Sequence, residues 1–141
     1  MSKIIKSNNM LIWKGDGEIV QIEPYGPNAI RVRATKNHTI LNENWTLLDP
    51  KEADVNIEAT SESAQLVNGK IKVEILKDGT ISFFGGNDQL LTKEYWIDER
   101  ELTVPVRRAR EYRSISSKQY RLAQYFKPFK DEHFYGMGTY R

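Results

Sequence analysis

The sequence predicts an all-β domain of antiparallel strands, folded as a β-sandwich or barrel, and three observations support this. Apolar and polar residues alternate over short segments along most of the chain, as in strands with one face on a core and the other in water. Asn-Gly and Asp-Gly turn sequences separate several of these segments. The single helix candidate, residues 99–111, carries Pro105 in its middle, where a proline breaks a helix.

The alternation is clearest in three segments, residues 29–35, 55–60 and 70–76. In the first segment, Ile30, Val32 and Ala34 point to one face, while Arg31 and Arg33 point to the other. The other two segments repeat this pattern with valine and isoleucine on the inner face. Each segment is therefore predicted to be a half-buried strand.

Glycine-containing turns join the predicted strands into hairpins. Asn68-Gly69 and Asp78-Gly79 supply the positive φ that tight hairpin turns need, so residues 64–84 are predicted to form an antiparallel meander. Further turns are expected at residues 15–17, 24–27 and 84–88. The remaining predicted strands cover residues 10–13, 18–23, 89–97, 110–117 and 119–126.

Length, composition and charge bound the class of protein. The 141 residues predict a single domain, residues 1–141. With 21 basic and 19 acidic residues, the charge is too balanced for nucleic-acid or lipid binding by bulk electrostatics. The chain has no cysteine, which excludes disulfides and cysteine-based zinc sites. Residues 1–17 hold no apolar run long enough for a signal peptide or membrane span, so we expect a cytoplasmic protein without nucleic-acid or membrane partners.

No side-chain pattern indicates a reaction. His38 and His133, the two histidines, lie far apart and lack metal-ligand spacing. The sequence contains no Gly-x-Ser-x-Gly elbow and no phosphate-binding loop. Asp98, Glu99 and Glu101 lie close together, but a charged loop explains them better than the fixed carboxyl pair of a glycosidase. We therefore expect no catalytic residue, no metal site and no cofactor in this chain.

A basic run interleaved with tyrosine overlaps the end of the helix candidate, and it comprises Arg107, Arg108, Arg110, Tyr112 and Arg113. Such a run can bind single-stranded nucleic acid. However, Glu99, Glu101 and Glu111 lie nearby and the net charge is only +2. An exposed strand face that balances these acids is therefore the favoured interpretation.

Two tryptophans are candidates for different roles. Trp45, in the loop LNENWTLLD, is the better candidate for an exposed ring that stacks on a sugar. Aromatic side chains are also common in cores, and burial in a core or between domains is favoured even for Trp45. Trp96, in LLTKEYWI, is expected to be buried.

The last ten residues, EHFYGMGTYR (132–141), carry the most specific motif. They closely resemble the EHFYG-Leu/Met-G-Glu/Gln stretch in the N-terminal domain of glycoside hydrolase family 31, which contains α-glucosidases and α-xylosidases. Thr139 departs from this motif because the family often has Glu or Gln there. Upstream segments resemble the family's strands in the same order, namely residues 16–35, 43–48, 68–84, 90–96 and 120–131.

The resemblance implies a galactose-mutarotase-like β-sandwich, of which residues 1–141 are an incomplete N-terminal portion. In that family a (β/α)8 barrel follows and carries both catalytic Asp residues, which cleave terminal α-linked xylose or glucose with retention and without a metal. This chain alone is therefore expected to be inactive. Its implied role is to brace the barrel and shape the active-site entrance, with Tyr135, Gly136, Met137 and Gly138 at the rim of the substrate pocket.

The implied partners are the catalytic barrel of the same polypeptide and the carbohydrate substrate of the intact enzyme. Strand edges left unpaired in an incomplete sandwich also predict self-association into a homo-oligomer. Two alternatives stay open. One is a free-standing carbohydrate-binding β-sandwich module that contacts sugars through Trp45 and exposed tyrosines, and the other is a protein-binding sandwich that uses the arginine face at residues 107–113.

Overall fold

The computed structural model describes residues 2–43, 48, 50, 53–96, 108–117 and 119–133. These residues form eleven β-strands in three antiparallel sheets. This described part contains no helix, and hence none long and apolar enough to cross a bilayer. The prediction of an all-β antiparallel fold is confirmed.

Two of the sheets are meanders in which each strand pairs with the next one along the chain. The first sheet contains β1 (Lys3–Ser7), β2 (Met10–Gly15), β3 (Glu18–Pro24) and β4 (Ile30–Thr35). The second contains β5 (Val55–Ala59), β6 (Ser63–Asn68), β7 (Ile71–Leu76), β8 (Ile81–Gly85) and β9 (Leu90–Lys93). A separate two-stranded ribbon consists of β10 (Arg110–Ser114) and β11 (Tyr120–Gln124).

The first and second sheets pack face to face around one core, because alternate residues of their strands point inward. The first sheet contributes Leu11, Trp13, Val20 and Ile22. The second contributes Ile57, Ala64, Leu66, Val73, Ile75 and Ile81. Each fully buried Val, Leu or Ile side chain stabilises the fold by roughly 1.5–3 kcal/mol. The inner face predicted for β4, with Ile30, Val32 and Ala34, packs against this core, so the molecule is a β-sandwich.

The predicted turns lie between the predicted strands. Gly69 and Gly79 adopt φ values of 60° and 89°, in the left-handed region that glycine enters without steric cost. β6, β7 and β8 pair successively around these turns, which confirms the meander at residues 64–84. In the turn between β2 and β3, Asp16 and Gly17 also have positive φ.

Some boundaries differ from the sequence prediction. β1 escaped prediction because its isoleucines, Ile4 and Ile5, are adjacent and therefore do not alternate with polar residues. β9 ends at Lys93, earlier than predicted, and its pairing with β8 shifts at a bulge between Phe83 and Phe84. Most of the helix candidate lies outside the described residues, and its last two residues begin β10.

Candidate functional site

The predicted sugar-contact residues lie outside the described part of the chain, and they are Trp45, Tyr135, Gly136, Met137 and Gly138. The same holds for Asp98, Glu99 and Glu101. Predictions about these residues stay predictions. The described residues instead hold a cluster of buried charges where the ribbon meets the two sheets.

A buried arginine joins the ribbon to both sheets. Arg110, the first residue of β10, donates from Nε to Glu18 Oε1 at 2.7 Å and from Nη1 to the carboxylate of Glu94. Its Nη2 donates to the carbonyl oxygen of Gly79 at 2.9 Å. Glu18 begins β3, Gly79 lies between β7 and β8, and Glu94 follows β9. One guanidinium thus connects the three sheets through the planar fork of donors that lysine lacks.

Glu94 is a fully buried charge whose side chain has 0% exposure. Besides Arg110, its carboxylate accepts hydrogen bonds from the backbone N–H of Ile81 at 2.9 Å and from Nε2 of Gln124 at 2.8 Å. Burial raises the pKa of Glu94 above its ordinary value, and the positive charge of Arg110 opposes this rise. Donors from both the second sheet and the ribbon therefore surround this carboxylate.

Glu18 receives a second hydrogen bond from the ribbon. The hydroxyl of Tyr112 donates to Glu18 Oε1 at 2.8 Å, beside the bond from Arg110. Burial raises the pKa of Tyr112 far above its ordinary value, and the hydrogen bond and negative charge of Glu18 add to this rise. The Tyr112 hydroxyl therefore keeps its proton at physiological pH and can donate this hydrogen bond.

This cluster, which we call the Arg110 network (Glu18, Glu94, Arg110, Tyr112 and Gln124), fixes structure and does not face substrate. The side chains of Glu18, Glu94 and Arg110 are 8%, 0% and 5% exposed, so a sugar cannot reach their charged groups. Both carboxylates are already engaged by protein donors. A retaining glycosidase needs one carboxylate free to attack the sugar, and neither carboxylate of the network meets that need. The Arg110 network therefore has a structural role, which is to hold the ribbon in place.

The predicted exposed face of arginines is wrong for Arg110. This side chain turns inward because the two buried carboxylates of the Arg110 network need a cation, and it supplies one. Arg108 pairs at the surface with Asp16 at 2.6 Å, and Arg113 is exposed. Arg107 lies outside the described residues. The exposed basic surface is therefore smaller than the sequence predicted, and Asp16 neutralises part of it.

Trp96 is only partly buried, whereas the sequence predicted burial. It follows β9 outside the core, and its ring lies 6.0 Å from the guanidinium carbon of Arg108. His38 and His133 are both exposed. Within the described residues, no group of three or more His, Asp or Glu side chains is placed to hold a metal ion.

One feature of the sequence indicates the Arg110 network, although no prediction was made from it. Glu18 shares the inward register of β3 with Val20 and Ile22, and a charge at a core position implies a buried partner. Its partner could not be deduced, because Arg110 lies 92 positions further along the chain. Local alternation carries no information about a contact at that separation.

Known proteins share this architecture. Residues 19–140 match the family model described as the glycosyl hydrolase 31 N-terminal galactose mutarotase-like domain. The whole chain aligns over 154 residues, at 27% identity, with 29% of an uncharacterized family 31 glucosidase from Pseudescherichia vulneris. In structure, 98% of the chain matches 22% of a GH31 alpha-xylosidase from a soil metagenome, determined in complex with xylose, with a TM-score of 0.85 and 33% identity.

The fold and these matches define a galactose-mutarotase-like β-sandwich domain. The chain belongs to the glycosyl hydrolase 31 N-terminal domain family. It spans 29% and 22% of the lengths of the two relatives. The resemblance seen in the closing motif and the ordered upstream segments is confirmed.

Proposed function

We propose that this chain is the non-catalytic N-terminal sandwich of a retaining α-glycosidase, where it braces the catalytic barrel and shapes the entrance to the sugar pocket. One observation carries the proposal. The complete chain aligns with only 29% of a family 31 glucosidase and 22% of a GH31 alpha-xylosidase. A domain that accounts for so small a share of such enzymes leaves most of the polypeptide for the catalytic groups.

The buried charges support a non-catalytic role. The carboxylates of Glu18 and Glu94 are enclosed and bound by Arg110, and a glycosidase nucleophile must be open to its substrate. The names of the two relatives favour terminal α-linked glucose or xylose as the sugar that the whole enzyme cleaves. We expect hydrolysis with retention and without a metal, performed by Asp residues of the barrel.

The rim of the sugar pocket is proposed at Tyr135, Gly136, Met137 and Gly138. The family model extends to residue 140 and so includes these positions. Glycine has no side chain beyond hydrogen, and two glycines spaced Gly-x-Gly allow other chain segments to approach the backbone closely. That property suits a loop that must fit against a neighbouring domain.

Domain complementation tests this function. The polypeptide encoded by the same reading frame is produced without residues 1–141 and assayed for hydrolysis of aryl α-xylosides and α-glucosides, with and without this chain added separately. We expect the remainder alone to lose most of its kcat/KM, and the added chain to restore part of it. A remainder that is fully active alone, or a reading frame that encodes no barrel, contradicts the proposal.

A further inference from the structure

A shallow cavity of about 320 Å³ opens on the sandwich surface, and Glu94 of the Arg110 network is among the residues that line it. Asp78, in the turn between β7 and β8, lines one wall. Lys93, Tyr95 and Trp96, at the end of β9 and just beyond it, also line the cavity, as does Lys127. This volume lies at the lower end of the range for small-molecule sites, which suits a single sugar ring.

The wall that contains Asp78 is held rigidly by hydrogen bonds. Asp78 Oδ1 accepts from the backbone N–H of Thr80 at 2.8 Å, and the N–H of Gly79 donates to the carbonyl of Leu76 at 2.9 Å. The carbonyl of Gly79 in turn accepts from Arg110. The turn therefore has its conformation before any ligand binds.

The aromatic wall is clamped from both sides. The N–H of Glu94 donates to the carbonyl of Ile81 in β8 at 2.8 Å. On the other side, the N–H of Tyr95 donates to the carbonyl of Tyr125 at 3.0 Å. The carbonyl of Lys93 accepts from the N–H of Lys127 at 2.8 Å. Such preorganisation lowers the entropic cost of binding a small ligand.

The cavity combines two aromatic rings with hydrogen-bonding groups of both kinds. Tyr95 is 39% exposed and Trp96 is partly exposed, so both present apolar ring surface. Asp78 offers carboxylate acceptors, and Lys93 and Lys127 offer ammonium donors. Within the described residues, neither lysine side chain forms an ion pair in the structure.

A neutral pyranose matches this set of groups. One face of a pyranose ring presents C–H groups, and its edge carries hydroxyls that both donate and accept hydrogen bonds. We propose that this cavity is a surface carbohydrate site, in which Tyr95 and Trp96 contact the ring face while Asp78, Lys93 and Lys127 bind the hydroxyls. The site goes beyond the proposed function, which assigns no ligand contact to the described residues.

Titration of the complete 141-residue chain with methyl α-xylopyranoside and methyl α-glucopyranoside, followed by two-dimensional amide NMR, tests the site. We expect saturable shifts confined to the amides around residues 78–80, 93–96 and 127, with Kd on the order of 1–10 mM for so small a ligand. Affinity that persists at high salt is expected, because the ligand is neutral. Shifts elsewhere only, or no saturable shift, overturn the proposal.

Substitutions of Tyr95 and Trp96 test whether their rings carry the binding. Tyr95→Ala and Trp96→Leu are each expected to weaken binding at least about tenfold, on the scale of a lost stacking contact. The matched control is Tyr120→Ala, because Tyr120 is 40% exposed but lies on the ribbon, and it should bind like the unaltered chain. Dispersed amide spectra confirm that each variant folds. If Trp96→Leu does not fold, Asp78→Asn serves as the second test. The proposal is overturned if Tyr120→Ala weakens binding as much as the cavity variants do, or if binding is weakened only by Trp45→Ala.

Discussion

Together with backbone hydrogen bonds between residues 125–127 and 93–95, Arg110 attaches the two-stranded ribbon to the sandwich. An isolated two-stranded hairpin is marginally stable in water, and β10 and β11 form such a hairpin. Of the partners of Arg110, Glu18 lies in the first sheet, and Gly79 and Glu94 lie next to strands of the second. A buried charge is costly when it lacks its partner, so these contacts favour one position of the ribbon over others.

Replacing Arg110 therefore tests the attachment. Arg110→Met keeps an apolar stem but leaves the carboxylates of Glu18 and Glu94 buried without a cation. We expect a loss of about 3–5 kcal/mol in the free energy of unfolding, measured by urea denaturation. Arg113→Met, on the same strand but exposed, should change this free energy by less than about 0.5 kcal/mol. Similar losses in both variants would contradict the structural role of the Arg110 network.

The buried carboxyl of Glu94 predicts a definite dependence of stability on pH. Because burial raises its pKa, the folded chain binds this proton at a higher pH than the unfolded chain does. The resulting stabilisation is fully present below the unfolded pKa, about 4.3 for glutamate. It is lost as pH rises through the raised folded pKa.

Glu94→Gln removes this titration. We expect the free energy of unfolding of the unaltered chain, minus that of Glu94→Gln, to fall as pH rises from about 4 to about 7. Urea titrations across this range measure the difference. Glu58→Gln, an exposed site on β5, controls for the general effect of removing a negative charge. A difference that rises with pH would show that the ion pair outweighs burial.

Among the elements, the turn between β7 and β8 connects the second sheet to the first. Nε1 of Trp13 in β2 donates to the carbonyl of Lys77 at 3.0 Å. Gly79 has φ of +89°, and a Cβ added there would lie 2.7 Å from the Trp13 ring. Both the backbone conformation and the close approach therefore require glycine.

A pair of glycine variants separates these two requirements. Gly17→Ala also places alanine at positive φ, +71°, but its Cβ would meet no atom within 4 Å, so we expect a loss of roughly 1 kcal/mol from backbone strain alone. Gly79→Ala adds overpacking against Trp13, which costs about 1–3 kcal/mol more. Thermal unfolding of both variants measures the difference. Equal melting temperatures would contradict the packing of this turn.

Local patterns predicted most of the elements because strands and tight turns are encoded over a few residues. β6, β7 and β8 followed from alternation and from Gly69 and Gly79. Two features escaped these local patterns. β1 was missed because its isoleucines are adjacent and do not alternate with polar residues. The position of the ribbon was missed because it depends on a bond between Glu18 and Arg110, which lie 92 positions apart. The sugar-pocket rim at residues 135–138 was inferred from a family motif, and it lies outside the described residues.

For the molecule as a whole, strand edges predict association between copies. β9 lies at the edge of the second sheet and exposes Leu90 and Leu91 at 36% and 46%. Exposed apolar edge strands tend to pair with other chains, and a lysine on the edge opposes this. We therefore propose that the chain forms homo-oligomers through this edge.

Light scattering coupled to size-exclusion chromatography tests this association. The average mass of the unaltered chain should rise with concentration, and Leu91→Lys should bring it towards that of one chain. Leu48→Lys is the control, because Leu48 is 91% exposed but lies outside the strands, and it should associate like the unaltered chain. A single-chain mass at every concentration would exclude the proposed homo-oligomer.

We propose that this sandwich is a folded part of an α-glycosidase and performs no chemistry itself. The most direct test is to incubate the purified 141-residue chain, shown to be folded by circular dichroism, with aryl α-xyloside and aryl α-glucoside. We predict aryl product at the level of the buffer blank, even at high protein concentration. Product formation that follows the chain through purification and vanishes when urea unfolds it would contradict the claim.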